Sequence, residues 1–122
     1  MYILVVDDDP LAGEMTAAIL EAQGHQPLIA SDAMAAVEQL DTHSDIALIV
    51  SDMHMPLING LELLEMLQEQ GSTLPFILLT GDTLDATRRP PPGLSACLSK
   101  DADLMSTLEQ AVNQTLAQQA GH

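Results

Sequence analysis

The chain has 122 residues, 47% of them hydrophobic, and sets 18 acidic side chains against three basic ones for a formal charge of −15. That length fits one domain, residues 1–122, able to bury roughly two-thirds of its unfolded surface, and its apolar content excludes charge-driven disorder. The single cysteine, Cys97, excludes an intrachain disulfide and a Cys-rich zinc site, while Arg88, Arg89 and Lys100 are too few to neutralise nucleic-acid phosphates or grip an anionic membrane.

Taken in chain order, apolar runs of strand length alternate with helical spacing. Tyr2 to Val6 reads as a first strand, and Pro10 to Gln23 as a helix with Leu11, Met15, Ala18, Ile19 and Ala22 on its buried stripe and Gly24 as its stop. Gln26 to Ala30 is a second strand. Ser31 is expected to cap a second helix that buries Met34, Val37 and Leu40. Tyr2 to Val6, Ile46 to Ser51 and Leu74 to Leu79 are almost continuously apolar, as parallel strands covered on both faces should be. Between them, Asn59 to Gln70 is a helix carrying Leu61, Leu64 and Leu67, stopped by Gly71. A fourth helix over Asp82 to Arg89 should be short or distorted, because Pro90, Pro91 and Pro92 follow it at once. Ser95 to Ser99 is the fifth strand, and the last helix aligns Leu104, Leu108, Val112 and Leu116. No apolar run is long enough to span a bilayer, and no basic region precedes the first one, so a cytoplasmic location is expected.

Alternating strands and helices imply an α/β, doubly wound parallel sheet with helices on both faces, and such sheets bind ligands beyond the carboxyl ends of their strands. Strand one ends in Asp7, Asp8 and Asp9, strand three in Asp52, strand four in Thr80 and strand five in Lys100. Carboxylates gathered so closely repel one another unless a cation intervenes. An all-oxygen donor set without thiolate suits a hard ion such as Mg²⁺. Asp52, flanked by that ion and the lysine, is the candidate nucleophile toward a phosphoryl group, with Thr80 and Lys100 binding the remaining phosphoryl oxygens. Blander roles compete. Asp9-Pro10 has the form of a helix cap, a lone Thr or Lys at a strand end is ordinarily a turn residue or a solvated charge, His54 as an isolated histidine ordinarily ligates nothing, and Cys97 falls in a strand and reads as core.

Ile3 to Pro10, with its acidic residues, Ser51-Asp52-Met53-His54-Met55-Pro56 followed by Asn59-Gly60, Leu78-Leu79-Thr80-Gly81, and Leu98-Ser99-Lys100 occur in an order and spacing that resembles the receiver domain of two-component response regulators, the CheY-like fold. The resemblance implies five strands in the order 2-1-3-4-5. It also implies that Asp52 accepts phosphate from a histidine kinase or phosphotransfer protein, and that Asp7, Asp8, Asp52 and the backbone carbonyl of His54 hold Mg²⁺. Thr80 would then shift toward the phosphoryl group, Lys100 would pair with it, and affinity for a downstream protein target would change. His54 and Asp82 stand where the family tunes hydrolysis.

The departures lie on the output side. Asp101 follows Lys100 where the family has proline, so a trans bond or a rebuilt loop is expected there, since a cis bond before a non-proline residue costs about 3 kcal/mol. Cys97 replaces the switch aromatic. Two other readings remain open on sequence. One is a degenerate receiver serving as a constitutive interaction scaffold. The other is a small haloacid-dehalogenase-type phosphatase using Asp7 and Asp9, which would leave Asp52 without a role.

Overall fold

The computed structural model describes residues 2–43, 45–55, 57–72, 74–81, 94–100 and 103–120, with residues 118–120 described by backbone alone. Five parallel strands, β1 (Tyr2–Val6), β2 (Gln26–Ala30), β3 (Ile46–Asp52), β4 (Phe76–Thr80) and β5 (Leu94–Ser99), form one sheet in the order β2-β1-β3-β4-β5. The described helices are α1 (Pro10–Ala22), α2 (Ala33–Thr42), α3 (Gly60–Glu69) and α4 (Leu104–Ala120). The expected short helix over Asp82 to Arg89 lies outside the described residues, and α4 is the helix that follows β5. No helix among the described residues is long and apolar enough to cross a membrane.

Strand alternation divides the core in two. Leu4, Val6, Ile49, Phe76 and Leu78 face α2 and α3, which contribute Ala33, Ala36, Leu63, Leu64 and Leu67. Ile3, Val5, Leu48, Val50, Ile77 and Leu79 face α1 and α4, which contribute Leu20, Leu108 and Val112. The central strands are therefore buried on both sides, as their unbroken apolar runs require. Pro27 is accommodated because β2 lies at an edge, where a missing N–H costs no ladder bond on the outer side. Gly24 and Gly71 end α1 and α3 at φ +89° and +85°, a region that costs glycine nothing.

Two expectations are corrected by the packing. The buried face of α1 is Gly13, Thr16, Ala17 and Leu20, whereas Leu11 and Met15 are 71% and 68% exposed. The helix is apolar on nearly every side, so periodicity leaves its rotation undecided. Packing on the sheet decides it, with the fully buried Leu20 set into the core on the α1 and α4 side. In α2 the cap is Asp32, not Ser31: its carboxylate accepts the Ala35 N–H at 2.7 Å. Met34 is exposed, whereas Ala33 and Ala36 are buried and Val37 and Leu40 are half-buried against the core.

Candidate functional site

Strand register carries the polar residues to one edge. Val6 pairs with Ala30 on one side and Ser51 on the other, Asp52 pairs with Leu79, and Thr80 pairs with Ser99, so the carboxyl ends of β1, β3, β4 and β5 are level. The ladder continues one residue past three of these ends. Asp7 N–H donates to the Ala30 carbonyl at 3.0 Å, Met53 N–H to the Leu79 carbonyl at 2.7 Å, and Lys100 N–H to the Thr80 carbonyl at 2.7 Å. The backbones bearing Asp7, Asp52 and Lys100 are thereby pinned before any side-chain contact is made.

Lys100 Nζ lies 2.9 Å from Asp52 Oδ1 and 3.1 Å from Asp7 Oδ2, bridging two carboxylates that are nearly buried. Partial burial of the ammonium lowers the Lys100 pKa. The hydrogen bond and charge of Asp52, reinforced by Asp7, outweigh that effect and leave it above the ordinary lysine value. Asp7, Asp8 and Asp52 each offer a carboxylate oxygen, and these atoms lie within 4.8 Å of one another. Asp8 is exposed at the mouth of the cluster, and Asp7 and Asp52 form its floor. Three oxygen donors at that spacing, with no sulfur or imidazole among them, match what a hard divalent cation accepts.

The structure thus brings together Asp7, Asp8, Asp52 and Lys100. Thr80 is fully buried at the end of β4, on the strand between Asp52 and Lys100. His54 is exposed, two residues beyond Asp52 on the loop leading to α3. Asp9 is engaged elsewhere: its side chain accepts the Leu11 N–H at 3.0 Å and caps α1, and its own N–H donates to Asp7 Oδ1 at 2.9 Å. That pairing removes the second aspartate of the phosphatase reading from the cluster. Cys97 is half-buried, opposite Leu78 in the ladder and against the core on the α3 side. Asp82, Arg88, Arg89 and Asp101 lie outside the described residues.

Sequence reasoning missed two contacts. The bridge from Lys100 to Asp7 joins residues 93 positions apart and depends on register that no local pattern encodes. The other is steric. A Cβ built on Gly60 would lie 2.6 Å from the carbonyl oxygen of Asp52, so the residue spacing that marks the loop also records a close approach of backbones.

Comparison with known proteins agrees with this arrangement. Residues 3–113 match the family model of the response regulator receiver domain. The chain is 34% identical over 119 residues to the sensor histidine kinase RcsC of Salmonella typhi, covering 96% of this chain and only 12% of that protein. It is 36% identical over 122 residues to the response regulator Rre1 of a Synechocystis strain, covering 96% of this chain and 52% of the relative. Among solved structures, the signal receiver domain of an HD domain-containing protein from Pseudomonas fluorescens Pf-5 superposes with a TM-score of 0.83 at 28% identity, covering 99% of this chain and 98% of that one. With its strand order, its level carboxyl edge and this family match, the chain belongs to the response regulator receiver domains of two-component signalling.

Proposed function

We propose that residues 1–122 act as one phosphoacceptor switch in which Asp52 takes a phosphoryl group from a phosphohistidine of a partner protein. The observation that carries this reading is the Lys100 ammonium held between Asp52 and Asp7 beside a third carboxylate, Asp8. A bare cluster of buried aspartates has no structural purpose. One that is pinned by backbone hydrogen bonds, and open on the Asp8 side, is arranged to receive something.

In the transfer, a carboxylate oxygen of Asp52 attacks phosphorus, an O–P bond forms and the N–P bond breaks. The bonding pair returns to the imidazole nitrogen, and the proton on the other ring nitrogen keeps the leaving imidazole neutral. Asp7, Asp8, Asp52 and the His54 carbonyl would hold Mg²⁺, which supplies charge neutralisation at the phosphoryl oxygens when bound. Lys100 keeps Asp52 oriented before transfer and pairs with a phosphoryl oxygen afterwards. Thr80 donates its hydroxyl to another. Because Thr80 and Lys100 sit on adjacent strands, their rearrangement biases the carboxyl edge between two states and changes affinity for a downstream protein.

The receivers within the sensor kinase RcsC and in the regulator Rre1 support a histidine kinase or phosphotransfer protein as donor. We place the domain in the cytoplasm. The low basic content supports a protein target over nucleic acid for this chain. Incubation with acetyl phosphate and Mg²⁺, read by intact-mass spectrometry, tests the assignment. One phosphoryl addition is expected in the wild-type protein, none in Asp52→Asn, and a slowed addition in Asp7→Asn. Labelling that survives Asp52→Asn but disappears in Asp7→Asn contradicts it.

A further inference from the structure

The Asp52–Met53 peptide is clamped from two directions. Met53 N–H donates to the Leu79 carbonyl on β4 at 2.7 Å, and the Met53 carbonyl accepts the Gly60 N–H from the first turn of α3 at 2.9 Å. At Gly60 the helix has no side chain to spare for this approach. A Cβ there would meet the Asp52 carbonyl oxygen at 2.6 Å, Leu78 Cδ1 at 2.5 Å and Met53 Cα at 3.2 Å. All three fall inside the roughly 3.5–4.0 Å of ordinary non-bonded contact. Leu78 Cδ1 is the end of a flexible side chain and can move aside, whereas the Asp52 oxygen is backbone and moves only with Asp52. The helix end cannot readily yield either, because Asn59 and Glu62 lock it reciprocally, Glu62 N–H to Asn59 Oδ1 at 2.8 Å and Asn59 N–H to Glu62 Oε1 at 3.1 Å.

We propose that Gly60 is a positioning residue for Asp52: its bare backbone lets α3 close directly on the Asp52–Met53 peptide and so fixes the Asp52 carboxylate against Asp7, Asp8 and Lys100. The inference rests on the phosphoacceptor reading of Asp52 and deepens it. Gly13 provides the contrast. It also lies in a first turn beside a site aspartate, but a Cβ there meets Asp7 Cβ and Ile29 Cγ2 at 3.6 Å, ordinary van der Waals contact.

The test compares wild type, Gly60→Ala, Gly13→Ala and Leu67→Ala, the last a buried α3 residue that destabilises the same helix from its other end. Mg²⁺ is titrated against backbone amide resonances, and urea unfolding confirms that each variant is folded where it is measured. Gly60→Ala is expected to weaken Mg²⁺ binding by at least about fivefold, while Gly13→Ala and Leu67→Ala stay within about twofold of wild type. Equal binding by Gly60→Ala overturns the proposal, as does an equal loss in Leu67→Ala, which would reduce Gly60 to a matter of stability. Should Gly60→Ala fail to fold, the wild-type protein still decides: the Gly60 amide must shift along with that of Asp52 on Mg²⁺ addition, and a stationary Gly60 amide overturns the proposal. A wild-type protein that ignores Mg²⁺ overturns the site reading itself, and this inference with it.

Discussion

Leu57 holds φ at +68° with its side chain fully exposed, on the loop between Asp52 and α3. An L-residue in the left-handed region costs about 1–2 kcal/mol through crowding of its Cβ, and here no burial offsets it. Leu57→Gly is therefore expected to raise stability by about 0.5–1 kcal/mol, read from urea midpoints, the gain being reduced by the greater freedom of glycine in the unfolded chain. A destabilised variant would mean that the side chain makes a contribution its exposure does not suggest. Lys100 makes the complementary case. Its folded pKa is raised above the ordinary 10.5, so its contribution is complete below the unfolded-state value and is lost as pH climbs through the folded one. The stability gap between wild type and Lys100→Met should accordingly stay level across neutral pH and close only in the alkaline range above the ordinary lysine value. Closure near neutrality would contradict the ion-pair assignment. Neither residue's condition was legible locally: Leu57 sits in an apolar loop sequence, and the partners of Lys100 are distant in the chain.

At the scale of elements, strands were more legible than helix faces. Continuous apolar runs such as Ile46 to Ser51 admit one reading, and the glycines after α1 and α3 stop those helices where expected. The rotation of α1 was not legible. Its sequence carries an apolar stripe through Leu11 and Met15 and another through Ala17 and Leu20, and only close packing on the sheet selects the second. Two substitutions separate these alternatives. Leu20→Ala is expected to cost about 2–5 kcal/mol by emptying a fully buried position, and Met15→Gln to change stability by less than about 0.5 kcal/mol. Chemical denaturation of both variants checks the rotation, and the opposite ranking would restore the stripe that the sequence favoured. The one-residue shift from Ser31 to Asp32 at α2 has a similar origin. Both residue types cap helices well, and tertiary packing of Ala33 and Ala36 chooses between them.

For the molecule as a whole, the fold gathers at one edge residues that share nothing in sequence but their position at strand ends. Asp7, Asp52, Thr80 and Lys100 could be picked out because each closes an apolar run, and a level parallel sheet then carries them to one edge. The contacts that tune the edge, Lys100 with Asp7 and Gly60 with Asp52, come from register and helix docking and were visible only in three dimensions. On the proposed function, this edge takes up Mg²⁺ together with a phosphoryl group on Asp52 and rearranges in response. Beryllofluoride, a stand-in for that phosphoryl group, added with Mg²⁺ to the folded protein and followed by its amide spectrum tests all of this at once. Saturable shifts beyond those produced by Mg²⁺ alone are expected at Asp7 to Asp9, Asp52 to Met55, Thr80 and Lys100, absent when Mg²⁺ is withheld and absent in Asp52→Asn. A spectrum that stays unchanged with both present would contradict the account and leave the chain a receiver-shaped scaffold.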